Sequence, residues 1–335
     1  MQNGTKLRLV YIYQYLMEYT DFNHPKSTVE LIQMLRDKHG MKVSRNTVCN
    51  DLIILRNSDL HIEYVESTQN KYYYDGRPFE VSELKILIDA LSSAKFITDG
   101  TSWALVKKLL TLTTKENAMQ LQRNISIENY VKSNNGSGYY SVDTINEAIN
   151  LGRKISFQYM DYDIYKKSYI KNNGERYTVS PYDLIWDGDY YYVRGYCDER
   201  NGMRTFRLDR IARQPIILNE IAVTKPENYD SLKFNHTVFR MFDTEEVVTI
   251  ELRCDVSIMK YLIDKFGMDF KTELIDESTF KATVDACASS TFYRWIFGFA
   301  GKIQILSPHK VVAEYMDMLS NVMKMYQYSD STKKK

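Results

Sequence analysis

Between Ser180 and Ile211 the chain reads SPYDLIWDGDYYYVRGYCDERNGMRTFRLDRI, and no other stretch limits its folding as tightly. Asp187-Gly188 and Asn201-Gly202 are dipeptides that supply positive φ in tight hairpin turns, and the tyrosine-rich run between them favours a pleated, half-buried strand. The stretch therefore predicts a small β-barrel. Arg204, Phe206 and Arg207 fall together on the strand after the second turn. Arginine presents a planar fork of donors that matches phosphate or carboxylate, and neighbouring tyrosine and phenylalanine rings offer stacking faces for a base. A barrel carrying both in this density is read as one that recognises something anionic.

The pattern SPY, a gap, DGDYYYVRGY, a second gap and RTFRLDRI resembles the WYL domain, the effector-sensing module of many bacterial transcription regulators. The signature tripeptide reads Tyr191-Tyr192-Val193 here, which keeps an aromatic and an aliphatic residue in place. The resemblance extends to the three-part order of such regulators: an N-terminal winged helix, the WYL domain and a C-terminal extension. It implies an SH3/Sm-like barrel that senses a ligand and a homodimer that binds operator DNA.

The chain has 335 residues, enough for two or three domains that each bury a core. Lys and Arg number 44 against 43 Asp and Glu, so any nucleic-acid contact must come from a local basic patch rather than a global excess. Cys49, Cys197, Cys254 and Cys287 are far apart, form no CxxC pair and share no ligand spacing with the five histidines, so neither a metal nor a cofactor is expected. No apolar run has signal-peptide or membrane length, which predicts a cytoplasmic protein with reduced thiols and no membrane partner.

Along the chain, Leu7, Val10, Tyr11 and Gln14 to Met17 form a stripe that predicts a first amphipathic helix over Lys6 to Tyr19. Ser27-Thr28-Val29-Glu30 has capping-box spacing and opens a second helix with Leu31 and Leu35 inward, ending near Gly40. Ser44 caps a third, in which Val48, Leu52 and Leu55 share one face. His61 to Val65 and Lys71 to Tyr74 then read as a hairpin, the wing of a winged helix-turn-helix. Ser82 starts a helix through Leu84, Leu87, Ile88 and Leu91, and another follows through Trp103, Val106 and Leu110; these would bridge or dimerise. Lys132 to Gly138 has the composition of a flexible connection, and Asp143 caps a short helix into the barrel. After Pro215, strand, helix, two strands, helix, strand and helix follow, the order of a ferredoxin-like α+β module. The expected divisions are 1–78 for the winged helix-turn-helix, 79–138 for a helical linker, 139–215 for the WYL barrel and 216–330 for the C-terminal extension, an α+β multidomain chain.

Exposed residues near the start of a recognition helix face base edges, so Arg45, Asn46, Thr47 and Asn50 are candidates for the major groove. Arginine reads guanine and asparagine reads adenine by paired bonds, while threonine and the helix N-terminus at Ser44 suit phosphate. Lys42 and Lys71 are candidate phosphate contacts, whereas Asp51 and Arg56 are read as structural. The alternative is the solvated face of an ordinary three-helix bundle; the hairpin and the resemblance favour DNA. For the barrel, Arg204 and Arg207 are candidates to hold the anion, with Tyr182, Tyr192 and Phe206 supplying hydroxyls or stacking surface. The alternative is a surface network in which Asp209 pairs with Arg207 or Arg210 and the tyrosines merely cover the core. Strand side chains alternate, so Arg204 and Arg207 point to opposite faces unless a bulge intervenes, and Arg204 is preferred because Phe206 shares its face. Phe292, Trp295, Phe297 and Phe299 are read as core rather than a partner patch, and Lys333 to Lys335 as a weakly phosphate-attracting tail.

No phosphate loop, GxSxG elbow or HExxH motif is present, so no enzyme activity is expected. The reading is a ligand-responsive bacterial transcription regulator. It would bind double-stranded operator DNA as a homodimer and sense an anionic small molecule or oligonucleotide. The rival reading is an accessory module that binds single-stranded nucleic acid and modulates a nuclease or defence complex.

Overall fold

The computed structural model describes residues 2–123, 125, 127, 131–227, 229 and 247–331. The tail Lys333 to Lys335 lies outside them. By internal contacts the chain divides into two units, Met1–Asn134 and Asn135–Lys335.

In the first unit, α1 (Gln2–Tyr19), β1 (Lys26–Ser27), α2 (Thr28–His39) and α3 (Arg45–Arg56) precede β2 (Ile62–Val65) and β3 (Lys71–Tyr74). Ser27 and Glu30 form the capping box their spacing predicts, and Gly40 ends α2 at φ 64°. The hairpin pairs Ile62 with Tyr74 and Val65 with Lys71, and β1 adds to β3 to make a three-stranded sheet. Leu31, Leu35, Val48 and Leu52 lie in the core as expected, but the stripe on α1 is displaced. Leu16 of the expected stripe is buried, but Leu7 and Val10 are exposed, and Ile12, outside the stripe, is buried in their place. Helix α1 is apolar or aromatic nearly all round, so its periodicity fits more than one face, and packing against α2 and α3 decides.

Among the described residues, three further α-helices follow in this unit, α4 (Val81–Ser93), α5 (Asp99–Leu110) and α6 (Lys115–Arg123), with Leu84, Ile88, Val106 and Leu121 between them. Helix α4 starts one residue before Ser82, with Glu80 as its cap, closed by the Glu83 carboxylate on the Glu80 N–H at 2.8 Å. Lys115 ties α6 to the end of α1 through Glu18 at 2.5 Å and the Tyr19 hydroxyl at 2.8 Å. The stretch from Lys132, polar enough to predict a free connection, starts as an anchor. The Lys132 ammonium donates to the carbonyls of Leu91 and Ala94 and to the Ser102 hydroxyl, at 3.1, 2.9 and 2.8 Å.

The second unit begins with α7 (Ser137–Leu151), so Asp143 stands inside a helix instead of capping it. Gly138 allows the early start: a β-carbon there would lie 3.2 Å from the Asp209 backbone. Strands β4 (Arg153–Phe157), β7 (Tyr177–Asp187), β8 (Tyr190–Cys197), β9 (Gly202–Arg207) and β10 (Ile216–Ile221) form an antiparallel sheet in the order β10-β4-β7-β8-β9. A separate hairpin joins β5 (Met160–Tyr162) and β6 (Ser168–Ile170). Strand β10 lies beyond the boundary expected at Pro215, yet Ile216 pairs with Ser156 and Ile217 with Ile155, so it belongs to this sheet. Gly188 at φ 57° and Asn201 at φ 44° supply the positive backbone angles of the two predicted turns. One face of the sheet packs Ile155, Phe157, Val179, Val193 and Phe206 against Ile145 and Ala148 of α7.

Beyond these, β11 (Val247–Asp255), α8 (Met259–Phe266), β12 (Lys271–Leu274), β13 (Thr279–Cys287), α9 (Ser290–Phe297), β14 (Ile303–Ser307) and α10 (His309–Ser331) follow the predicted order. Their antiparallel sheet runs β12-β13-β11-β14, the strand order a ferredoxin-like arrangement requires. Phe292 is fully buried there and Phe297 is exposed. No helix among the described residues is long and apolar enough to cross a membrane.

Candidate functional site

Helix α3 has one committed and one open face. Arg8 of α1 reaches across to Asp51, donating from Nε to Oδ2 at 2.5 Å and from Nη2 to Oδ1 at 3.0 Å, and Asp51 is only 3% exposed. This fork fixes the helix against α1 and explains why Asp51 is absent from the outer surface. Ser44 caps the helix, accepting from the Thr47 N–H at 3.2 Å, and its hydroxyl lies 2.9 Å from that of Thr47. Arg56 stacks over the Tyr64 ring at 4.1 Å, which ties the end of α3 to β2. Arg45, Asn46 and Asn50 project outward and are exposed, with Lys42 before the cap and Lys71 at the start of β3. Among the described residues, none of these five side chains has a hydrogen bond or ion pair. The surface therefore presents donor-bearing side chains to solvent.

The sheet of the second unit divides its expected anion-binding residues between two faces. Strand β9 pairs with β8 in unbroken register, Tyr192 opposite Arg207, Val193 opposite Phe206, Arg194 opposite Thr205 and Gly195 opposite Arg204. Phe206 and Val193 lie in the core, so by alternation Arg204 belongs to the α7 side and its guanidinium folds back on the Met203 carbonyl at 2.7 Å. The outer face therefore carries Tyr192, Arg194, Thr205 and Arg207. Phe206 does share a face with Arg204, as the spacing predicts, but that face is the buried one. Phe206 meets Phe157 edge-on at 5.1 Å and is core, not a stacking platform for a ligand.

Arg207 is held on both sides. Its guanidinium lies 3.4 Å from the Tyr190 ring centroid and donates to Asp209 from Nε at 3.0 Å and from Nη2 at 2.7 Å. Burial opposes its charge, but the bonds to Asp209 more than compensate and hold its pKa above the ordinary arginine value. Its backbone N–H donates to the hydroxyl of Tyr159, a phenol that burial pushes up to about 12. Arg210 pairs with Asp161 at 3.5 Å, and Lys171 with the same carboxylate at 3.0 Å. The arginine-aspartate network weighed from the sequence is thus present around Arg207 and Arg210.

Tyr182 sits at a bulge in β7, between the pairs Pro181–Gly195 and Asp183–Arg194. Gly195 is required there, because a β-carbon would lie 2.1 Å from the Ser180 carbonyl oxygen. Burial raises the pKa of both Tyr182 and Tyr192, so both phenols stay neutral donors. A cavity of about 430 Å³ opens beside the bulge, with Asp143, Asn146 and Ile149 of α7 on one side and Tyr182, Leu184 and Tyr191 on the other. Among the described residues no His, Cys, Asp or Glu group gathers to hold a metal.

Three participants escape the sequence reading of the outer face: Asp183 and Tyr190, and Tyr229 far beyond it. Asp183 is opposite Arg194 in the ladder, and Tyr229 reaches Asp183 with its hydroxyl at 2.5 Å. The alternation Tyr192, Arg194, Tyr196 was a legible signal that Arg194 belongs with Tyr192. Nothing in the sequence points to Tyr229.

Residues 141–214 match the family model described as the WYL domain, so this part of the chain is a WYL domain. No curated protein matches the chain. Sixteen chains of solved structures do. One is proteasome accessory factor B/C (PafBC) of Arthrobacter aurescens, 17% identical with a TM-score of 0.27; the match covers 95% of this chain and 48% of that one. This chain thus spans about half the length of that protein. Another is described as a CRISPR Cas-related protein, 14% identical with a TM-score of 0.36, covering 94% of this chain and 98% of that one.

Proposed function

We propose that this protein is a ligand-responsive transcription regulator, in which residues 1–78 act as a winged helix-turn-helix on duplex operator DNA and the WYL domain senses an anionic, nucleotide-like effector. The observation that carries the DNA reading is the open face of α3, where Arg45, Asn46 and Asn50, with Lys42 just before the helix, are exposed and uncommitted beside the hairpin whose second strand starts at Lys71. Arg45 and Asn50 read base edges; Lys42, Lys71 and the capped N-terminus at Ser44 and Thr47 meet phosphates. The protein acts in the cytoplasm as a homodimer, and its two recognition helices read an inverted repeat because protein symmetry sets operator symmetry. The effector binds the outer face of the WYL sheet with different affinity in two arrangements of the dimer, and that difference shifts operator binding. No reaction is catalysed. What supports the effector reading is the outer face itself, where Tyr192, Arg194 and Arg207 combine cations with rings.

The test is competition binding of the full-length protein to the duplex upstream of its own gene, against a scrambled duplex and a length-matched single strand at fixed salt. Preference for the cognate duplex is expected. Preference for the single strand would replace this reading with the accessory-module one.

A further inference from the structure

The segment that leaves the WYL sheet after β10 does not leave its outer face. The Val223 N–H donates to the Ser180 hydroxyl oxygen at 2.9 Å, and the Tyr182 hydroxyl donates to the Thr224 carbonyl at 3.2 Å. Lys225 then meets Asp183 Oδ1 at 3.1 Å, and the Tyr229 hydroxyl donates to Asp183 Oδ2 at 2.5 Å. The Tyr229 ring stands edge-on to Tyr182, 5.4 Å between centroids, with the Arg194 guanidinium 5.4 Å and the Lys225 ammonium 5.2 Å from its own centroid. Burial and the carboxylate both raise the phenol's pKa, so the hydroxyl remains a donor.

A flat ring held by an edge contact, cations near its centroid and a carboxylate accepting from its rim is also what a nucleobase site looks like. Among the described residues after β10, Ala222 donates to the Gly152 carbonyl at 2.9 Å, and Val223, Thr224, Lys225 and Tyr229 hold the segment to the outer face; none of them is in a strand. A ligand that replaces one ring and one ammonium can therefore displace it without breaking a sheet.

We propose that Tyr229 occupies the base subsite of the effector site and that the effector which displaces it carries a guanine ring. This rests on the effector reading given above. The choice of base follows from Asp183. Its two oxygens are held by Lys225 and Tyr229, four positions apart in the chain, so both partners leave together and expose two acceptors side by side. A carboxylate only accepts, so it is matched by a ring edge with two adjacent donors, and guanine offers N1–H beside its exocyclic amino group. Adenine and cytosine put a ring acceptor next to their single amino group, and uracil flanks its one N–H with carbonyls, so each sets an acceptor against Asp183. Arg194, across the ladder from Asp183, keeps over the base the position it holds over Tyr229. Tyr182 and Asp183 also line the cavity of about 430 Å³ beside α7, a volume in the size range of small-ligand sites.

The test is titration calorimetry of the full-length protein with GMP and with AMP, for the wild type, Tyr229→Ala, Tyr229→Phe and Asp183→Asn, with thermal unfolding as a check of each fold. Emptying the subsite removes a competing intramolecular occupant, so Tyr229→Ala should bind GMP about 10-fold more tightly. Tyr229→Phe keeps the ring and loses only the bond to Asp183, so it should tighten GMP binding by less. Asp183→Asn turns one acceptor into a donor and should bring the GMP and AMP affinities together. Equal GMP affinity in wild type and Tyr229→Ala overturns the inference, as does AMP preferred over GMP. Binding of both nucleotides with no dependence on Tyr229 or Asp183 removes the inference and leaves the effector reading standing. No binding by any form removes both.

Discussion

The open face of α3 and the outer face of the WYL sheet carry similar chemistry in opposite states. On α3, Arg45, Asn46 and Asn50 face solvent with no partner among the described residues. On the sheet, Arg207 is forked to Asp209 and stacked on Tyr190, Asp183 is shared by Lys225 and Tyr229, and Arg194 lies over the Tyr229 ring. Donors left open suit a partner of fixed geometry such as a duplex, which needs only rigid presentation from a helix pinned behind by Arg8 and Asp51. Donors already engaged make binding an exchange, so occupancy must displace something, and that is how a sensor couples a ligand to the rest of its fold.

The largest expected effect lies behind the open face. Arg8→Ala strands the Asp51 carboxylate in the core and should cost about 4 kcal/mol in chemical denaturation of the first unit; a loss below about 1 kcal/mol would mean that the ion pair does not hold α3. On the sheet, Gly195→Ala drives a β-carbon into the Ser180 carbonyl, where backbone cannot retreat, and about 3 kcal/mol of stability should go. The sharpest comparison is the same substitution on each surface. Arg207→Ala leaves Asp209, whose side chain is 9% exposed, without its partner and should lower stability by about 2 kcal/mol. Arg45→Ala should leave the melting temperature unchanged and weaken operator binding by about 1 to 3 kcal/mol. If Arg45→Ala destabilises the fold while Arg207→Ala does not, the contrast between the two faces is wrong. The smallest effect is expected for Lys71→Ala: affinity falls alike for all sequences, and the slope of log affinity against log salt drops by about one.

Much of the architecture was legible in local signals. The capping box at Ser27, the Ser44 cap, the hairpin at Lys71 and the alternation of strand and helix after Val247 follow from interactions within a few residues. Where the reading slipped, the deciding contact was remote. Asp143 read as a cap because nothing near it shows that Gly138 packs on Asp209. Pro215 read as a boundary because the pairing of Ile216 with Ser156 joins residues sixty positions apart. Lys132 read as part of a loose connection because its three acceptors lie on other segments.

The site residues divide along the same line. The sequence by itself determined that arginines and aromatics crowd one hairpin and that Arg204 and Arg207 face opposite ways, because the period of a strand is local and its turns are set by dipeptides. Which of the two faces is buried was decided only when α7 packed on Phe206 and Val193, since both faces carry aromatic rings and the pattern alone fits either. The tertiary structure also brought Tyr229 back to Asp183, forty-six residues away in the chain. Such a contact depends on the summed burial and hydrogen bonding of distant segments, and no local pattern encodes that sum.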